Sequence, residues 1–124
     1  MRLKLLKTLI IKQIKGVIDE NALGVMLSCV SPENFEINLK ELKSLNIPFG
    51  FKLNGFVTTK LRESYTSVFL GKKSNPNEIL GKRQDLTPTK IQEIAKKFKD
   101  AGATILGGCC ETSPSHIKAI ANLK

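Results

Sequence analysis

A chain of 124 residues, 41% hydrophobic and 25% charged, has the makeup of an ordinary globular domain with room for one core but not two. Its apolar runs fall far short of the roughly 20 residues that cross a bilayer, and the basic start at Met1–Lys7 leads to no small-residue cleavage site, so a cytoplasmic protein with no membrane partner is expected. The net charge of +9 invites a nucleic-acid reading, but the cations are scattered, only Arg2, Arg62 and Arg83 are arginines, and one Tyr with no Trp leaves little to stack on bases.

The first 20 residues read as a leading helix, with Leu6, Ile10, Ile14 and Val17 on one side and lysines on the other. Leu23-Gly24-Val25-Met26-Leu27 is a short apolar run, as expected of a strand buried on both faces, with Cys29 just past its end. Ser31-Pro32-Glu33 then signals a helix start, and Phe35, Leu39, Leu42 and Leu45 give that helix a buried stripe that Asn46 and Pro48 end. Phe49 to Asn54 alternates and reads as a second strand. Residues 57–86 show little period, and a connection of that length points to a functional loop or a hidden short element. Thr87-Pro88 opens another helix, carrying Ile91, Ile94, Ala95 and Phe98 on one face, and Ala101-Gly102 closes it. Ala103 to Leu106 reads as a third strand, and Ser113-Pro114 starts a last helix with Ile117 and Ile120 inward.

Residues 21–124 thus form three strand–helix units, the pattern of an α/β fold with a parallel sheet. In such sheets active groups gather where strands end and helices begin. Cys29, Cys109 and Cys110 all sit at such places and can share one rim. An odd number of cysteines without a secretion signal argues for reduced thiolates, and a bridge between vicinal cysteines, whose Cα atoms lie about 3.8 Å apart, would be strained. Three thiolates with one open position suit a catalytic Zn²⁺. Such a centre carries net charge −1, a poor setting for splitting water but a good one for deprotonating a fourth thiol and keeping its sulfur nucleophilic. Alkyl transfer to a substrate thiol is the matching reaction. Two alternatives stand beside it: three small buried hydrophobes, or a closed site in which His116 is the fourth ligand. For His116 itself, packing or a contact with the helix start is the preferred reading.

Gly107-Gly108-Cys109-Cys110-Glu111-Thr112-Ser113-Pro114-Ser115-His116-Ile117 resembles the signature of the homocysteine S-methyltransferases, usually GGCCGT-[ST]-P-x-H-[IL]. Gly24 to Glu33 resembles the earlier GxNC-x-SPE segment of the same family, and Asp85–Pro88 and Asp100–Ala103 resemble the stretch leading into GGCC. The likeness covers roughly residues 20–124. It implies a (β/α)₈ TIM barrel of which this chain supplies the last three units, with Cys29, Cys109 and Cys110 as zinc ligands and Asn54 near the homocysteine. It further implies methyl transfer to zinc-bound homocysteine to form methionine, from a folate, a betaine-like compound or a sulfonium. Ser28 stands where the family usually has Asn, and Glu111 where it has Gly, which restricts the backbone and adds charge beside the metal.

A whole barrel takes about 250 residues, so a module completed by a separate N-terminal half or a second copy is expected, its two sheet edges otherwise left open. The competing expectations are a non-catalytic zinc-binding remnant and, from another class, a basic nucleic-acid-binding domain. The latter requires affinity that falls steeply with salt.

Overall fold

The computed structural model describes residues 21–57 and 80–123. The helix expected over residues 3–18 and most of the connection between 57 and 86 lie outside the described residues. Strand β1 (Val25–Val30) is followed by helix α1 (Pro32–Ser44), strand β2 (Phe49–Leu53), helix α2 (Pro88–Asp100), strand β3 (Ile105–Gly108) and helix α3 (Pro114–Ala121). The three strands are parallel and lie side by side in sequence order. This is the strand–helix alternation expected from the sequence.

Each helix begins as its residues dictate. Ser31 caps α1 by accepting from the Asn34 N–H at 3.2 Å, and Thr87 caps α2 through the Lys90 N–H at 3.2 Å. A proline follows each cap, where its missing N–H costs nothing. Asn46 ends α1 at φ 54° and Gly102 ends α2 at φ 113°, both in the left-handed region.

One core joins the helices to one face of the sheet. Phe35 of α1, Phe51 of β2 and Phe98 of α2 are essentially fully buried and meet as a trio with ring centroids 5.0, 4.7 and 5.6 Å apart. Leu42, Phe49, Leu53, Ile91, Ala95, Ala103 and Ile120 complete the cluster. Right-handed crossovers between strands taken in order place α1 and α2 on one side of the sheet, and α3 packs beside α2.

The opposite face carries Met26 and Ser28 of β1, Gly50 and Lys52 of β2, and Ile105 and Gly107 of β3. No helix covers it among the described residues. The continuous apolar run around Leu27 suggested burial on both faces, yet Met26 is 43% exposed and Leu23 91%. A parallel sheet is normally buried on both sides; among the described residues this one is covered on a single face. Ile117, expected inward, is 43% exposed. It lies at the rim, close to Gly108, rather than on the helical core.

The connection that lacked a sequence period has a described end with definite structure. Phe56 and Lys82 form an antiparallel bridge, Val57 N–H donates to the Gly81 carbonyl at 2.9 Å, and Arg83 N–H donates to that of Gly55 at 2.7 Å. The Arg83 guanidinium then makes a fork to Glu33 at 2.8 and 2.8 Å and binds Asp85 at 3.0 and 2.7 Å. Chiefly through those hydrogen bonds, Arg83 holds both carboxyls below their ordinary values. A depressed carboxyl stabilises the fold above its unfolded-state value and ceases to as pH falls through the folded one. The clamp therefore weakens below about the ordinary Glu value of 4.5. Glu33 is well exposed, so its share is on the order of 0.5 kcal/mol. Arg83→Ala should flatten the acid side of a melting-temperature profile between about pH 5 and 3, and an unchanged profile would show the clamp to be idle.

Candidate metal centre

Cys29 reaches the rim through an irregularity in β1. In a regular strand it would share a face with Val25 and Leu27, which pack against the core. The pairing slips instead: Leu27 lies opposite Phe51, but Val30, not Cys29, lies opposite Leu53. The extra residue is a bulge. Cys29 sits in it at φ 52°, a conformation that costs a non-glycine residue roughly 1–2 kcal/mol. The bulge sends Val30 back to the core and releases Cys29 from it. Cys29 was expected just beyond the strand; it lies within it, in the one place where alternation fails.

Cys109 and Cys110 follow β3. Cys109 N–H donates to the Leu53 carbonyl at 2.7 Å, extending the ladder by one residue. The chain then turns back, with the Thr112 N–H and hydroxyl donating to the Cys109 carbonyl at 3.2 and 2.5 Å. Gly107 and Gly108 were expected to supply backbone freedom here, but neither adopts positive φ. What Gly108 supplies is room: a Cβ there would come within 2.4 Å of the Thr112 Oγ1. The left-handed residue of the turn is Glu111, at φ 60°. Glu111→Gly should stabilise the fold by about 0.5–1 kcal/mol in chemical unfolding, the relieved strain outweighing the freer unfolded chain. A loss of stability would mean that the Glu111 side chain makes a contact outweighing that strain.

The three sulfurs all lie within 4.8 Å of one another, the vicinal pair at 3.9 Å. Tetrahedral Zn–S bonds of about 2.3 Å require sulfurs about 3.8 Å apart, so the cluster fits the ion with small adjustments. The donor set fits as well, since soft thiolates select zinc over hard cations. All three thiols are free and at least partly exposed. Burial pushes the Cys29 thiol up to about 11, and its two sulfur neighbours add to the rise. Burial opposes ionisation of Cys109 too, but the Cys110 backbone N–H, both neighbouring thiols and the Lys52 cation together draw it below its ordinary value. Without metal the Cys109 thiol thus gives up its proton before the Cys29 thiol does.

Asn54 lies beneath the cluster and is fully buried. Its Nδ2 donates to the Cys29 carbonyl at 2.7 Å and faces the Cys29 Sγ at 3.8 Å, while its Oδ1 accepts from the Phe56 N–H at 3.2 Å. It fastens the bulge of β1 to the end of β2. His116 is not in the cluster. Its Nδ1 accepts from the Ser113 N–H at 3.0 Å, which leaves the proton on Nε2 to be donated to the Leu86 carbonyl at 2.7 Å. Both ring nitrogens are used, so the helix-start reading describes this residue and the Cys₃His alternative does not. Lys52 escaped notice, although the alternation from Phe49 to Asn54 already set it on the same face as Asn54.

Three thiols gather at the ends of parallel strands, in a cluster that could hold a metal ion, on a sheet whose described helices pack on one face, as in a fragment of a βα-repeat fold. The family model for homocysteine S-methyltransferases matches residues 7–123, and the chain belongs to that family. It is 32% identical over 112 residues to "Homocysteine S-methyltransferase 1" of Saccharomyces cerevisiae, covering 90% of this chain and 31% of that protein. A protein of the same name from Arabidopsis thaliana is 30% identical over 103 residues, covering 73% of this chain and 32% of its own length. The one from Zea mays is 38% identical over 48 residues, 39% of this chain and 13% of that protein. The chain thus spans at most about a third of the length of these relatives.

Proposed function

We propose that this chain is the thiol-activating part of a zinc-dependent homocysteine S-methyltransferase, completed by polypeptide that supplies the rest of a (β/α)₈ barrel. The observation that carries this reading is the convergence of Cys29, Cys109 and Cys110 within 4.8 Å from two strands that are not neighbours. These residues would hold Zn²⁺, with a place left for homocysteine. Bound there, zinc acidifies the entering thiol and keeps its sulfur nucleophilic towards a methyl donor. Cys29 is set in its position by the β1 bulge and by Asn54, whose closeness to homocysteine acts through that cysteine. Cys109 and Cys110 are set by the turn that Thr112 closes. The uncovered sheet face and the partial coverage of the relatives support a complementary half as partner. The donor, whether folate, betaine-like or sulfonium, is bound largely by that half. No described helix is long and apolar enough to cross a membrane, and the free thiols fit a reducing cytoplasm.

The test pairs the purified chain, in reducing buffer with zinc, with the part of the yeast relative that it does not cover. Methionine formed from homocysteine and a methylsulfonium donor by the pair, and by neither part alone, is the expected result. Zinc bound without turnover under those conditions would replace this reading by that of a non-catalytic zinc-binding remnant.

A further inference from the structure

Lys52 stands in the middle strand of the sheet, half-buried, on the face that no described helix covers. It pairs in register with Gly107, and its stem lies against that glycine, where an added Cβ would stand 3.5 Å from the Lys52 Cγ. Cys109 is two residues beyond Gly107, and same-face neighbours on a strand are about 6.6 Å apart. Lys52 is therefore about one side-chain layer below the sulfurs. Around it the face is neutral and mostly small: Ser28, Gly50 and Gly107. Among the described residues no carboxylate pairs with Lys52, so its charge is left for an anionic ligand.

A thiol amino acid whose sulfur joined the three cysteines would place its carboxylate three carbon atoms away, a span comparable to that one layer. Resting on the function proposed above, we propose that Lys52 reads the carboxylate of the incoming thiol amino acid and so selects homocysteine over thiols that lack one. A charge-assisted contact of this kind both orients the substrate and rejects analogues that leave the lysine unmatched.

The test needs no methyl donor. The full chain is loaded with Co²⁺ in place of Zn²⁺, and the sulfur-to-cobalt absorption is titrated with L-homocysteine and with 3-aminopropane-1-thiol, the same molecule without its carboxylate. Lys52→Met keeps the stem on Gly107 and removes the charge. It should leave cobalt content unchanged, raise the dissociation constant for homocysteine roughly tenfold, and alter that for the aminothiol less than about twofold. Lys52→Arg should restore most of the difference. Equal weakening of both thiols would overturn the proposal, because Lys52 would then act on the charge of the metal–sulfur cluster alone. An unchanged homocysteine constant would overturn it too. If neither thiol perturbs the spectrum of the unaltered chain, the thiol-binding reading itself fails, and this inference with it.

Discussion

Replacing Cys29 by serine should empty the metal site as fully as replacing Cys109. The two residues come from opposite ends of the described chain and from strands separated by β2, so equal loss is expected only if their sulfurs share one ion. Removing one thiolate from such a site costs on the order of 4 kcal/mol, about a thousandfold in affinity. In freshly reduced protein the zinc content should drop from about one per chain to near zero in either variant. Because the ligands must ionise, affinity should also rise with pH and binding should release protons. Full zinc content in Cys29→Ser would break the site into a vicinal pair and an unrelated thiol, and the functional reading would go with it.

The second large effect is expected far from the sulfurs. Phe51→Ala removes the central member of the aromatic trio, leaving Phe35 and Phe98 facing a void at the point where both helices meet the sheet. Truncating a fully buried phenylalanine costs about 3–5 kcal/mol, and small domains have only about 5–15 kcal/mol in all. Urea unfolding at fixed metal concentration should show the midpoint collapse towards zero denaturant. A change below about 1 kcal/mol would mean that the core lies elsewhere.

The helix starts were legible because Ser31-Pro32 and Thr87-Pro88 fix both a cap and a backbone angle locally, and the structure uses each as the residues dictate. The strands were legible from alternation and β-rich runs, but their ends moved: β3 runs on through Gly107 and Gly108, because ladder hydrogen bonds rather than side chains define it. The sulfur cluster was legible as chemistry, since three cysteines at strand ends have few other uses. How Cys29 gets there was not. A bulge depends on which residue the neighbouring strand accepts, and nothing in Leu27-Ser28-Cys29-Val30 marks it. The Arg83 clamp was hidden for a similar reason: it joins residues 50 positions apart, and no local period signals that. Lys52 had no signal of its own in an alternating strand; its pairing with Gly107 in the neighbouring strand is what puts it under the site.

The placement of the three cysteines in β1 and just past β3 has a mechanical consequence. β1 and β3 are held apart by β2, so their backbones stand about 9.6 Å from one another, and an ion gripping Cys29 and the vicinal pair would act as a clasp thrown across the middle strand. Ligation that favours only the folded chain adds about 4 kcal/mol at a thousandfold excess over its dissociation constant. That gain is spread over the whole rim, so amide hydrogen exchange in β1 and at the end of β3 should slow together when the clasp shuts, while the far ends of the helices keep their pace.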